Sequence, residues 1–565
     1  MATLTTNLFR GAGEGDWRLE VVEGHWPTDA RGEVFIVGPD KRAPGGHWFA
    51  EWGLVHRIGC APGPDGRIPV TARRVSTPVE RLQQRFPKLF RRVGFAEASP
   101  FGVSNLGNTN LQAIDGRLFV GYDAGRPLEI DPVTLEVLTP VGANGEWCQM
   151  FPGLVEPMVT VAAHPAPAFE ERALYFVNYS PMPGTPTYLA RWGLSGPVEK
   201  WPLEGMGRYD SIHDVKATRH HLVISDLPFK VEPDAMRGGE RTEPNQDITR
   251  LWIVAKEDLR RTVPGSPVPV VAVELPFPTG HLAVDVDDDD GVIRVMLEHI
   301  PLADLMITMS TERPQHATGE PVPVDYEGMV ALGLQPGCVG TYRIDAATGE
   351  VLEGERIWDD AFWGGILTTW DQSSPEARER IDRAWFAGSG HDPELVPEEW
   401  WRLYADAGLN CIVEPSDLPA EGRPGALATF DLDARKVAAV WTYPDGSFPS
   451  PPTFVPRDGA DGPGDGYVVV LVHADGGKEL QVFDAQHVDR GPLARATVEG
   501  FNPPLLLHST WMERRTGARP SSYRVRRRDD VAGALAQAPA VVRRWIRGGR
   551  QMAAEQQASA AAGRD

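Results

Sequence analysis

Ser211–Phe229 reads SIHDVKATRHHLVISDLPF. At its centre His213 precedes Asp214 and a turn, and an apolar strand then runs into Asp226-Leu227-Pro228. Three further histidines stand in comparable strand-edge contexts: His164 in VTVAAHPAP, His281 in FPTGHLAVDVD and His508 in PPLLLHSTW. Separations of 49, 68 and 227 residues place the four in different structural units. A closed or radial fold is what brings such distant positions together.

Working outward from this stretch, the same local pattern recurs. RLFVGYDAGRPLEIDPVTLEVLTPV, TYRIDAATGEVLEGERI, ATFDLDARKVAAVWTY and LQVFDAQHVDRGPLARATV each read as strand, aspartate-containing turn, strand. Recurring antiparallel units across most of a chain point to an all-β propeller. The repeats are too degenerate to count blades, and a series of β-sandwiches satisfies the pattern equally. Two segments break it. Val79, Leu82, Phe86, Leu89, Phe90 and Val93 recur at helical spacing around Pro87, which predicts two short helical pieces in about 78–95. Ser373–Leu409 carries a Ser-Ser-Pro-Glu start and Gly408 as a stop, which predicts a helical insertion over one face, with Trp385, Trp400 and Trp401 as core. The expected organisation is a single propeller domain over 1–515, followed by a basic, Ala-rich tail over 516–565. Pro539 interrupts that tail, so helix and then partial disorder are expected.

Composition bounds the function. The 565 residues carry a formal net charge of −22, the wrong sign for a generic nucleic-acid binder. Cys60, Cys148, Cys338 and Cys411 are scattered, which suits a reducing cytoplasm better than a disulfide framework or zinc site. With no charged-then-apolar leader and no long apolar run, a cytoplasmic location is expected. Basic segments at Arg73–Arg92 and Arg514–Arg550 leave peripheral contact with an anionic membrane as a second possibility. VDVDDDDGVIRV is out of register for a calcium loop and reads as a tight acidic turn. GAGEGDW follows no strand and is not a dinucleotide fingerprint. Four imidazoles suit iron, copper, zinc or nickel, and ligand type alone does not choose among them. His220, His221, His299 and His473 lack such contexts and read as ordinary polar residues of a β protein.

With these contexts in hand, the chain resembles the carotenoid cleavage oxygenase family. The carriers are HP after an apolar run, I-H-D-x-x-x-T with a later D-L-P, and an alternating strand after the third histidine. HWFAEWGLVHRI, GNTNLQAIDGRLFVGYDAGRPLEIDP, TFVPR, DGYVVVLV and LQVFDA carry it from His47 to about Trp511. The resemblance implies a seven-bladed propeller with a helical and loop cover over the active-site face. It further implies a ferrous iron held by His164, His213, His281 and His508, with Asp123 orienting His213 from the position where the family usually has glutamate. A second family glutamate aligns with Pro451, and a third falls near DDAFWGG, where this chain has no clear glutamate. The family's Asp-Gly-Asp-Gly run near the start is AEWG here. The implied activity is Fe(II)-dependent cleavage of a conjugated C=C bond of a carotenoid or apocarotenoid with O2. Alternatives are cleavage of a phenylpropenoid or stilbene, or a propeller that binds a lipid or apocarotenoid without turnover. Phenol-cleaving relatives carry a lysine and a tyrosine where Tyr122 and Phe101 stand, and the absent lysine favours an apolar polyene. The partners expected are an apolar small molecule and O2.

Overall fold

A ring of sheets accounts for the spacing of the four histidines. The computed structural model describes residues 8–562 apart from 9, 42–45, 94–95, 181–183, 208, 233–234, 236–238, 332–333, 371–379, 461, 463, 475 and 514–520. Among the described residues seven units of at least four strands follow one another around an axis, two of them joined into one ten-stranded sheet. Their innermost strands are His508–Met512, Asn110–Ile114, Ala166–Ala168, Ser211–Ala217, Thr279–Val284, Gly365–Trp370 and Thr453–Pro456. The fold is a seven-bladed β-propeller.

The ring is closed by strands from opposite ends of the chain. His508–Met512 pairs antiparallel with Glu33–Pro39, with His508 opposite Val37, so the first blade is completed only by the last strand. Glu33–Pro39 is buried on both faces, as a central strand must be. Between blades the cores are continuous. One cluster joins Val177 and Trp201 to Val215 and Trp252, and another joins Phe119 to Trp192 and Trp147.

The cover departs from expectation in its second segment. Thr77 caps a helix, Pro78–Arg85, by accepting from the Glu80 N–H at 3.1 Å, and a short 3-10 turn follows at Pro87–Leu89. Between 373 and 409, however, Arg383–Gly388 is a strand and not helix. Ala384, Trp385, Phe386 and Ala387 are buried on both of its faces, and a fully buried strand shows no alternation to separate it from a helix. The start of the expected first helix, 373–379, lies outside the described residues. A shorter helix, Glu398–Tyr404, forms as read, with Trp400 in the core and Trp401 stacked on His316.

The helix expected in the tail forms, but Pro539 does not interrupt it. Arg527–Ala562 is one helix running through Pro539. Ala534 and Val541 are buried on either side of that proline, and their packing offsets the lost backbone hydrogen bond.

Candidate metal centre

The four histidines sit on, or just before, the innermost strands of four blades. Backbone bonds fix two of them together: the His164 N–H donates to the His213 carbonyl at 3.1 Å, and the Val215 N–H to the His164 carbonyl at 3.2 Å. His213 is the extra residue of a bulge, since Ile212 faces Asp226 while Asp214 faces Ser225. A second bulge lies at Gly280, beside His281. Bulges re-aim side chains, and here they turn two imidazoles toward the axis. Asp214 ties the two strands by accepting from the Leu282 N–H at 3.1 Å while pairing with Lys216.

The result is one cluster. A ligand atom from each of His164, His213, His281 and His508 lies within 4.8 Å of the others. Metal–imidazole bonds are about 2.0–2.1 Å, so two nitrogens on opposite sides of one ion stand roughly 4.2 Å apart. Nε2 of His164 and of His281 is buried without a hydrogen-bond partner among the described residues. Buried polar nitrogens are rarely left so, and a shared ion satisfies them. The donor set therefore fits a divalent transition metal.

Carboxylates hold two of the rings from behind. Asp123 accepts from His213 Nδ1, with both carboxylate oxygens at 3.0 Å, and its own Oδ1 takes the Ala163 N–H at 3.1 Å. Burial pushes the His213 pKa down, and the Asp123 charge and hydrogen bond more than reverse this, leaving it above the usual value. Burial, with the neighbouring imidazoles, holds His164 and His508 well below the usual histidine value. Burial likewise takes His281 down to about 3. Such rings remain neutral, the form that binds a metal.

Glu298 was not foreseen. It accepts from His281 Nδ1 at 3.2 Å and is fully buried. Burial and the nearby Asp214 raise its pKa well above the usual carboxylate value. No acid comes from DDAFWGG, where Phe362 fills the space against Gly337 and Gly365. Glu298 faces His281 across the hairpin that turns at the acidic run. Pairing the two strands about that turn is the signal that finds it. His508 makes no side-chain hydrogen bond among the described residues. Ser509 beside it donates to the Pro452 carbonyl at 3.0 Å, so the Pro451 segment is adjacent but offers no acid. His220, His221, His299 and His473 lie elsewhere, each with its own partner: Asp289, Asp288, Tyr342 and Ser450.

Two cavities meet at the cluster. One, of about 550 Å³, reaches His213, His281 and His508 and is walled by side chains such as Phe49, Met158, Phe229, Ile300 and Leu507. Tyr122 lines it beside Asp123, and no lysine or arginine does so among the described residues. The other, of about 480 Å³, has a mixed wall in which Asn110, Asp214 and Lys216 stand beside Ile114, Phe169 and Val284. His281 and His508 face both. Imidazoles thus stand between an apolar chamber and a cavity of mixed lining.

The profile of the retinal pigment epithelial membrane protein (RPE65) family matches residues 8–513. The chain belongs to that family, the carotenoid cleavage oxygenases. Among curated relatives, it is 22% identical over 525 residues to apocarotenoid-15,15'-oxygenase of Synechocystis, covering 88% of this chain and 94% of that one. It is 25% identical over 563 residues to resveratrol cleavage oxygenase 1 of Chaetomium globosum, covering 87% and 85%. The solved structure of cobalt-substituted Synechocystis apocarotenoid oxygenase superposes with a TM-score of 0.61 at 19% identity, over 90% of this chain and 98% of that one. Carotenoid cleavage oxygenases depend on non-haem iron, and this member carries the histidine cluster that such an ion requires.

Proposed function

We propose that this protein is an Fe(II)-dependent dioxygenase that cleaves a conjugated C=C bond of a carotenoid or apocarotenoid. One observation carries the reading: four imidazoles converge, those of His164 and His213 buried and those of His281 and His508 partly so, at the wall of an apolar cavity, and among the described residues Nε2 of His164 and of His281 has no partner. His164, His213, His281 and His508 would hold the iron, with Asp123 and Glu298 fixing the rings of His213 and His281. When bound, Fe(II) supplies activation of dioxygen. The chain's own part is to hold the alkene and exclude water. Burial of a polyene in the apolar chamber is worth about 25 cal/mol per Å² removed from water. No protein acid or base is required, since C=C plus O2 gives two carbonyls without net proton transfer.

The test is the iron content of anaerobically purified protein supplied with Fe(II), followed by turnover under labelled O2. One iron per chain, and label in both carbonyl products of an apocarotenoid, are expected. Iron bound with turnover of a stilbene alone would move the substrate class to phenylpropenoids. The chain's 25% identity to a resveratrol-cleaving relative favours including that substrate, whereas the lack of a lysine or arginine among the described residues of the chamber disfavours a phenolate. No iron after supplementation would leave a binding protein.

An apolar substrate partitions into lipid, so the reading extends to a membrane surface. Phe86 and Leu89 are exposed apolar residues on the capped helix and its following turn, amid Arg85, Lys88, Arg91 and Arg92. Val231 is exposed while also lining the chamber. No described helix is long and apolar enough to cross a membrane. Binding to anionic vesicles is expected at low salt and is lost as salt screens the contact, within about 10 Å at 0.1 M. Vesicle sedimentation checks it. Absence of binding at low salt, with turnover from detergent intact, would make these residues structural only.

A further inference from the structure

We propose that the C-terminal helix Arg527–Ala562, which lies beyond the family-matched residues 8–513, braces the loop that carries Asp123, with Asp530 as the positioning residue. Asp530 receives a fork of bonds from Arg126, Nη1 to Oδ1 at 2.8 Å and Nη2 to Oδ2 at 3.0 Å. Oδ1 also takes the Asn144 N–H at 2.7 Å. The Arg126 side chain is only 3% exposed, and Nη1 donates again to the Gly142 carbonyl at 2.8 Å. A buried guanidinium held this way has one low-energy place to be.

Arg126 is three residues from Asp123, and the segment between them is tight. The Gly125 N–H closes a turn onto the Tyr122 carbonyl at 3.2 Å. Asn105 Nδ2 donates to the Arg126 carbonyl at 2.8 Å, and a Cβ on Gly125 would fall 2.3 Å from Asn105 Cγ. A shift of Arg126 therefore passes along a short, hydrogen-bonded turn to Asp123.

The helix is fitted to this place. Gly533 lets it approach the Asn144–Glu146 turn so closely that a Cβ there would lie 2.5 Å from the Gly145 nitrogen. Gln537 donates to the Gly145 carbonyl at 2.8 Å, and Ala534 and Val541 are buried.

The need for a brace follows from side-chain length. Aspartate is one methylene shorter than the glutamate usual at this position, so its grip on His213 depends more on where its backbone stands. The Val161 N–H donates to the Asp123 carbonyl at 3.0 Å, and the Ala163 N–H to Oδ1 at 3.1 Å, so these two amides report on that backbone.

The experiment uses the full chain carrying Asp530→Ala. In metal-free protein, hydrogen exchange measured by mass spectrometry should quicken by about 10-fold in the peptide holding Val161 and Ala163. Affinity for Co(II), read by its absorption, should fall by about 3- to 10-fold, less than the roughly 10–100-fold expected when an outer partner is removed outright. Helix exchange that quickens while Val161, Ala163 and Co(II) affinity stay as in wild type would overturn the brace. Should Asp530→Ala fail to fold, Asp530→Asn keeps the shape and drops the charge, and the same peptide decides. The Co(II) readout rests on the proposed metal site, whereas the exchange readout does not. A wild-type chain that binds no metal therefore counts against that site and leaves the brace to be judged by exchange.

Discussion

Replacing His164 by alanine is expected to take bound iron from one per chain to a small fraction, and turnover down by more than about 100-fold. That exceeds the roughly 10–100-fold lost when only a partner of a ligand is removed. His164 is the ring the others gather on: its centroid lies 4.6, 4.8 and 4.4 Å from those of His213, His281 and His508. Its pull toward the axis comes from backbone bonds to the neighbouring blade, which alanine retains. Folding should therefore survive, and metal analysis beside a metal-free melting curve separates a lost ligand from a lost fold. Wild-type iron content in His164→Ala would remove this residue from the site.

The second large effect is expected at the two acids. Asp123→Ala and Glu298→Ala should each lower iron affinity or turnover by about 10–100-fold, because an imidazole loses the acceptor that sets its tautomer and raises its basicity. Glu298→Gln should lose less, since an amide oxygen can still accept from His281 Nδ1. Competition with a chelator of known affinity measures all three. Unchanged loading in Asp123→Ala or in Glu298→Ala would reduce that acid to a bystander.

These two acids mark how far the sequence could be read. Asp123 sits in a segment whose neighbours, GYDAGRPLEIDP, carry its alignment, and the structure places it on His213. Glu298 carries no such context. It belongs to a strand next to the innermost one and faces His281 only because the hairpin register fixes them opposite each other. Register is a pairing property, invisible until the turn is located. Repeated strand–turn–strand units pointed to a propeller without excluding sandwiches, and the seven blades came only with the family resemblance, because the repeats are degenerate and the first blade borrows its inner strand from residues 508–512. Arg383–Gly388 was misread because a strand buried on both faces has no period of its own. The tail's helix was legible but its passage through Pro539 was not, because the helix owes its place to Arg126 and Gly145, contacts across about 400 positions of chain.

Placing His508 on the closing strand has a consequence for how the protein is made. At a translation rate of about 5–20 residues per second, the 227 residues between His281 and His508 take roughly 10–45 s to synthesise. Through that interval a growing chain holds three of the four imidazoles and an open ring, with Glu33–Pro39 unpaired along the edge that His508–Met512 will cover. An ion captured by the finished centre then spans the seam. Peeling the last strand away must surrender a ligand, so the metal weights the closed ring by the factor 1 + [L]/Kd. The proposed iron site and the clasp of the propeller would then be one object, and scarcity of metal should be felt first as a chain that comes undone at its ends.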